Sequence, residues 1–212
     1  RGGGDLGSGV ALRLHRCGFQ VTIAEIAQPL VLRRTVSFAN AIYSKEMTVE
    51  GVAAIQADSS GDVEFLHTQR IIPVLIDPDL RIKKALTYDI LIDARMQKKE
   101  VLYGLTSKPF IIGLGPGFSA GLNCHAVIET NRGHFLGRVI WSGSPQADTG
   151  IPGKIGNQAV ERIIRSPSTG IIQDGAPLGT LMKEGDLVAR VGEKALLAPF
   201  GGCLRGLMHD GL

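Results

Sequence analysis

The sequence has no apolar run near the roughly 20 residues that a membrane-spanning helix needs, so no membrane span is expected. It has three cysteines, Cys17, Cys124 and Cys203, and no C-x-x-C. An odd, widely spaced set argues against a disulfide scaffold and for a reducing cytosol, so a cytoplasmic location is expected. A one-signed charge surplus is also missing. The net charge of +3 is spread along the chain, which gives no electrostatic case for nucleic acid. Lys83-Lys84 and Lys98-Lys99 read as solvated surface pairs, and no signal peptide is visible. What remains is ample for folding: 212 residues, 44% apolar and 20% charged, enough for one large domain or two small ones. The 28 glycines cluster at turns between apolar runs, which reads as a loop-rich, partly β-rich chain.

The most informative segment comes first. Gly2, Gly4 and Gly7 fit the spacing G-x-G-x-x-G, with Asp5 inside it. The spacing predicts a helix over Leu6–Cys17, its inner face formed by Leu6, Val10, Leu14 and Cys17, and Gly18 as its stop. Phe19–Ala24 reads as a strand closed by Glu25. Glycine turn, helix, strand and acid in that order form the first half of a dinucleotide-binding βαβ unit. The glycines let the backbone approach a pyrophosphate, the helix N-terminus offers N–H donors, and the acid takes a ribose hydroxyl. The alternative is a strand-to-helix turn with a purely structural role. Glu25 favours a free 2′-hydroxyl and so NAD over NADP, while nearby Arg33 pulls the other way.

Beyond Glu25 the pattern predicts a helix over Leu30–Tyr43, opened by Arg33 and Arg34, a strand over Thr48–Ala57 and a short helix over Val63–Gln69. Ile71–Asp77 reads as a buried strand whose Pro73 points to a sheet edge or a strand start. Asp89–Asp93 and Phe110–Leu114 are further buried strands, and Gln97–Pro109 a loop. Short apolar runs between helices mark a parallel sheet. Asp77 and Asp93 end strands, where each could reach a ligand or cap a turn. Ala126–Thr130 and Leu136–Trp141 read as strands around a turn at Asn131-Arg132-Gly133. From about residue 163, turn signals every 8 to 12 residues suggest a small β-barrel or sandwich. The expected fold class is α/β, a Rossmann-like parallel-sheet domain over residues 1–118 followed by a smaller β-rich, barrel-sandwich-like domain over 119–212.

Two further clusters bear on chemistry. Gly113, Gly115, Gly117 and Gly121 follow a strand, and a parallel arrangement would turn Gly115 and Gly117 to the same sheet edge as Gly2–Gly7. The alternative is that they only route the chain. Cys124 and His125 are adjacent, with Arg132 in the turn and His134 beyond it. A thiolate beside a positive charge is a nucleophile, although neighbours in an extended chain face opposite ways. A buried, inert cysteine is the alternative. One Cys and two His lack a fourth zinc ligand, Glu129 aside, and no metal is expected. Cys17 and Cys203 are expected to serve packing.

Several segments together resemble one family. Arg1-Gly-Gly-Gly-Asp-Leu6, Gly9-Val-Ala-Leu-Arg-Leu-His15, Arg33-Arg-Thr-Val-Ser-Phe38, Gly113-Leu-Gly-Pro-Gly-Phe118, Asn123–His134, Leu136-Gly-Arg-Val-Ile140 and Thr149-Gly-Ile-Pro-Gly153 resemble the accessory proteins of selenium-dependent molybdenum hydroxylases, in the same order along nearly the whole chain. The tail resembles a biotinyl/lipoyl-like barrel-sandwich through Lys183–Val188 and Leu197–Arg205. At the carrier-lysine position, Lys194 lacks the flanking Met or Asp pattern, so neither biotin nor lipoate is expected. The tail stops before that fold's last strands, and a natural protein longer at both ends is expected. The resemblance implies a bacterial cytoplasmic factor that helps supply or insert the terminal chalcogen, with a molybdenum hydroxylase or its cofactor as partner. It also makes a selenium species on Cys124 a candidate.

Two functions follow. One is an accessory or maturation protein that binds NAD, NADP or another phosphorylated ligand through Gly2, Gly4, Asp5, Gly7, Glu25, Arg33, Gly115 and Gly117. Its candidate chemistry would lie at Cys124, His125 and His134. The other is an NAD(P)-dependent oxidoreductase with a β-rich accessory domain. A docking protein with a vestigial nucleotide site is a third reading. Oligomeric state is not legible.

Overall fold

A computed structural model describes residues 1–99, 103–106, 108–151, 153, 155 and 158–212. The fold is α/β, with a Rossmann-like arrangement of parallel strands followed by a smaller β-rich part. Among the described residues, no helix is long and apolar enough to cross a membrane.

Helix α1 (Asp5–Arg16) forms where the spacing predicts it, but buries a different face. Gly7, Ser8, Ala11 and Leu12 are inside, while Leu6 and Cys17 are exposed. The inner face is small because the helix lies against the backbone of the glycine turn. A Cβ on Gly7 would stand well under 3.0 Å from the Gly2 carbonyl oxygen. Strand β1 (Ile23–Glu25) follows and is shorter than expected.

The helix expected over Leu30–Tyr43 is replaced by two 3₁₀ turns, Arg34–Val36 and Phe38–Asn40, and a single helical turn, α2 (Ala41–Ser44). Tertiary bonds override local periodicity here. Phe38 N–H donates to Ser8 Oγ at 2.7 Å, and Ala39 N–H donates to the Gly3 carbonyl at 2.9 Å. The strand expected over Thr48–Ala57 is the hairpin β2 (Glu46–Val49) and β3 (Val52–Ala57). Glu50 and Gly51 both take positive φ, 47° and 78°, as a two-residue hairpin turn requires. Helix α3 (Ser60–Thr68) opens with a capping box between Ser59 and Asp62.

Strand β4 (Ile72–Ile76) lies inside its sheet, in the order β1-β4-β3-β2, with β2 antiparallel. Pro73 is therefore not on an edge strand. It is tolerated near the strand start, one residue before pairing with β1 begins at Val74. A second sheet orders β5 (Ile90–Asp93), β6 (Phe110–Leu114), β7 (Ala126–Ile128) and β8 (Val139–Ile140), with β8 antiparallel. The boundary expected at residue 118 falls inside this sheet, because β7 pairs directly with β6.

Arg1 and Gly2 join the two sheets. The Arg1 nitrogen donates to the Ile92 carbonyl at 2.9 Å, and Ala94 N–H donates to the Arg1 carbonyl at 2.8 Å. That is the parallel pairing pattern, with Arg1 opposite Asp93. On the other side Gly2 N–H donates to the Ala24 carbonyl at 2.9 Å. A shared core joins Ala24 of β1 to Leu91, Ile111, Phe118, Cys124 and Val127.

The β-rich part comprises β9 (Ile172–Gln173), β10 (Leu181–Met182), β11 (Leu187–Val191), β12 (Lys194–Leu197) and β13 (Gly202–Cys203). They form two antiparallel sheets, β12-β11-β9 and β10-β13, around Ile172, Val188, Leu196, Leu204 and Leu207. Lys194 lies in β12 opposite Val191. The following tail returns to the α/β part, where Leu207 N–H donates to the Leu32 carbonyl at 3.0 Å.

Candidate functional site

With Arg1–Gly2 between β1 and β5, the chain runs to one side through α1 and β1, and the sheet continues on the other through β5. This is a topological switch point, the place where open α/β sheets bind ligands beyond the carboxyl ends of their strands. Gly2–Gly7, Glu25, Asp77, Asp93 and Gly115 all lie along that edge.

The three motif glycines meet three different demands. Gly2 turns the chain with φ of +90°. Gly7 admits the close approach of α1 to Gly2. Among the described residues, nothing lies within 4 Å of where a Cβ on Gly4, the residue before α1, would stand, so its backbone is open to an incoming group. Among the described residues, no side chain caps the helix at that position. Among the described residues, the N–H groups of Gly4, Asp5 and Gly7 have no acceptor. Unpaired donors at the positive end of a helix dipole favour an anion. Ser8 carries no motif signal in the sequence. Buried, it donates to the Gly3 carbonyl at 2.9 Å and accepts from Phe38 N–H, pinning the turn from behind.

Glu25 ends β1 beside the turn. Its Oε1 accepts from Gly3 N–H at 2.6 Å and its Oε2 from Ile26 N–H at 2.9 Å. Arg33 sits in a loop rather than on a helix and reaches Asp5, with Nη1 2.6 Å from Oδ2. Asp5 Oδ1 also accepts from Leu6 N–H at 3.0 Å.

Next to Gly2, β5 delivers Asp93, whose side chain is 1% exposed. Arg95 donates to it from Nε at 2.9 Å and Nη2 at 2.6 Å, and Tyr103 Oη at 2.7 Å. Arg1 Nη1 donates in turn to Tyr103 Oη at 3.0 Å. Burial pushes the Asp93 carboxyl up, but the hydrogen bonds from Arg95 and Tyr103 outweigh it and hold the group below its ordinary 3.8. Arg95 and Tyr103 carry no spacing signal in the sequence. Only the sheet brings them to the switch point. Asp77 takes the capping role, accepting from Arg81 N–H at 2.7 Å and Ile82 N–H at 2.8 Å.

The second glycine turn shares this edge but is covered. A Cβ on Gly115 would meet Thr130 and Met96, and one on Gly117 would meet the Lys99 carbonyl. Gly115 N–H already donates to the Ile128 carbonyl at 3.0 Å. The segment Ala94–Lys99 thus packs on both turns, touching Gly2 through Arg95 and Gly115 and Gly117 through Met96 and Lys99. In this arrangement Gly115 and Gly117 serve packing, because a neighbouring loop occupies the space a ligand would need.

Cys124, His125 and His134 are not brought together as a reactive group. Cys124 is fully buried among Ile111, Phe118 and Val127, and burial pushes its thiol up. That opposes the activated thiolate the sequence suggested. His125 faces away. Its Nδ1 accepts from Ile111 N–H at 2.9 Å, its Nε2 lies 3.0 Å from the Thr106 carbonyl, and its ring stacks on Phe110. Those bonds make Nδ1 the acceptor and Nε2 the donor. His134 is exposed in the loop before β8, edge-on to Phe135. Glu129 braces that loop, accepting from Asn131 and Gln146 N–H groups, both at 2.8 Å. Cys17 and Cys203 are exposed rather than packed.

The chain is 48% identical over all 212 of its residues to a protein of Escherichia coli (strain K12) described as "Uncharacterized protein YqeB", and it spans 39% of that protein's length. No family model matches the chain. No solved structure matches it.

Proposed function

We propose that this protein binds a dinucleotide at the Gly2–Gly7 turn and acts in the bacterial cytoplasm as an accessory factor for selenium-dependent molybdenum hydroxylases. The observation that carries the binding reading is the division of labour among the glycines: a positive-φ turn at Gly2, an open backbone at Gly4 and a close helix contact at Gly7. Those are the three tasks of a pyrophosphate-binding turn. The residues present fit such a group. Gly4 and the unpaired N–H groups of α1 would hold the phosphates, and Glu25 would hold a ribose. When bound, a nicotinamide dinucleotide supplies a hydride donor or acceptor.

The hydroxylase pathway rests on the resemblance of the segments from Arg1–Leu6 to Thr149–Gly153. The buried state of Cys124 favours a binding and delivery role toward the hydroxylase or its cofactor over selenium carriage on that thiol. The test is twofold. Titration calorimetry with NAD and NADP is expected to show binding that Gly4→Ser weakens. In a host lacking the protein, hydroxylase activity is expected to fall and to return with the wild-type gene but not with Gly4→Ser. Full hydroxylase activity without the protein would remove the pathway assignment.

A further inference from the structure

We propose that the Asp5–Arg33 ion pair sets the ligand class of the Gly2–Gly7 turn, reserving it for a dinucleotide whose ribose carries a free 2′-hydroxyl. The inference rests on the dinucleotide reading above.

Glu25, Asp5 and Arg33 meet at the turn. Glu25 is fixed by two N–H donors, one on each oxygen. A carboxylate offers about four acceptor positions, so about two stay open, and they suit the hydroxyl donors of a ribose. A 2′-phosphate would instead set about two negative charges against Glu25. Sites that accept that phosphate answer it with a guanidinium.

The guanidinium that could answer here is committed. Arg33 Nη1 lies 2.6 Å from Asp5 Oδ2, and Asp5 is held on α1 by its bond to Leu6 N–H. Its neighbour Arg34 is engaged elsewhere, with Nη1 3.2 Å from His209 Nδ1. Arg95, on the far side of Gly2, is bound to Asp93, and the Arg1 guanidinium donates to Tyr103 Oη and to the Pro78 carbonyl.

The loop cannot easily carry Arg33 elsewhere. Ser37 Oγ donates to the Arg33 carbonyl at 2.9 Å, and the tail holds the Leu32 carbonyl from behind. The side chain alone is free to turn. The pair is half-exposed on both sides, 44% and 40%, so its own contribution to stability is small. Removing Asp5 would release Arg33 without disturbing the core.

Titration calorimetry of the purified protein with NAD and NADP tests this. The wild type is expected to bind NAD at least about tenfold more tightly than NADP. Asp5→Asn is expected to raise NADP affinity by about tenfold, the effect of one charge-assisted hydrogen bond. The double variant Asp5→Asn/Arg33→Ala is expected to lose that gain. If Asp5→Asn lowers the melting temperature, Asp5→Ser serves the same comparison. Equal NAD and NADP affinities in the wild type, or a gain that survives loss of Arg33, would overturn the inference and leave the dinucleotide reading standing. Binding of neither would overturn both.

Discussion

The carbonyl oxygen of Gly2 occupies the place where a side chain on Gly7 would begin. Helix α1 is set by this approach, and the glycine turn and the helix therefore act as one rigid piece. Gly7→Ala is expected to destabilise the fold by about 1–3 kcal/mol through overpacking, although alanine gains about 1 kcal/mol in helix propensity. Thermal unfolding checks it, and a raised melting temperature would show that α1 can move away freely.

Gly4→Ser should behave in the opposite way. Among the described residues, nothing lies within 4 Å of the new Cβ, and serine is a good residue to cap a helix. The melting temperature is expected to hold or rise, while dinucleotide affinity falls by about tenfold or more. Loss of both together would mean that Gly4 is a folding residue.

Asp93 links stability to acid. Its carboxyl titrates below the ordinary 3.8 in the folded chain, so its contribution is complete above about pH 4 and is lost as pH falls through the folded-state value. Asp93→Asn, which leaves Arg95 without its counter-ion, is expected to cost about 3 kcal/mol and to flatten the acid limb of the stability curve. Denaturant unfolding across that range checks it. An unchanged acid limb would assign the pH dependence to other carboxylates.

The thiols should divide by position. Cys17 and Cys203 are expected to react with a thiol reagent in the native protein, and Cys124 only after unfolding. A native count of three reactive thiols would return Cys124 to the list of nucleophiles.

His209 fastens the tail to the α/β part. Its Nε2 lies 2.7 Å from Asn40 Oδ1, its Nδ1 faces Arg34, and its ring rests on Tyr43. Burial and Arg34 pull its pKa below the ordinary 6.5, with Asp210 opposing. The ring is therefore neutral when docked. The contact holds above about pH 6.5 and weakens as pH falls through the folded-state value. Hydrogen-exchange protection at Leu207 is expected to drop between about pH 7.5 and about pH 5.5, and to lose that dependence in His209→Phe. Equal protection at both values would show that the apolar contacts of the tail suffice.

Local signals carried the glycine turn, α1, α3 and the strands at Ile72, Ile90 and Phe110, because each is bounded by its own cap, glycine or apolar run. They misplaced whatever depends on distant partners. Ser8 and Gly3 claim the backbone of Phe38 and Ala39, which turns a helical pattern into 3₁₀ turns. The buried face of α1 follows from contact with Gly2, not from the spacing of its leucines. Of the candidate site, Gly2, Gly4, Gly7, Glu25, Asp5 and Arg33 were legible and do meet at one turn. Arg95 and Tyr103 were not, since their common partner Asp93 reaches the switch point only through the sheet.

The bond between His209 and Asn40 spans 169 residues of sequence. At ribosomal speeds of about 5–20 residues per second, the loop that carries Arg33 emerges roughly 8–34 s before the tail that fastens it. A nascent chain therefore has its glycine turn outside the ribosome well before the tail can clasp that loop, and the clasp is a late step in completing the fold.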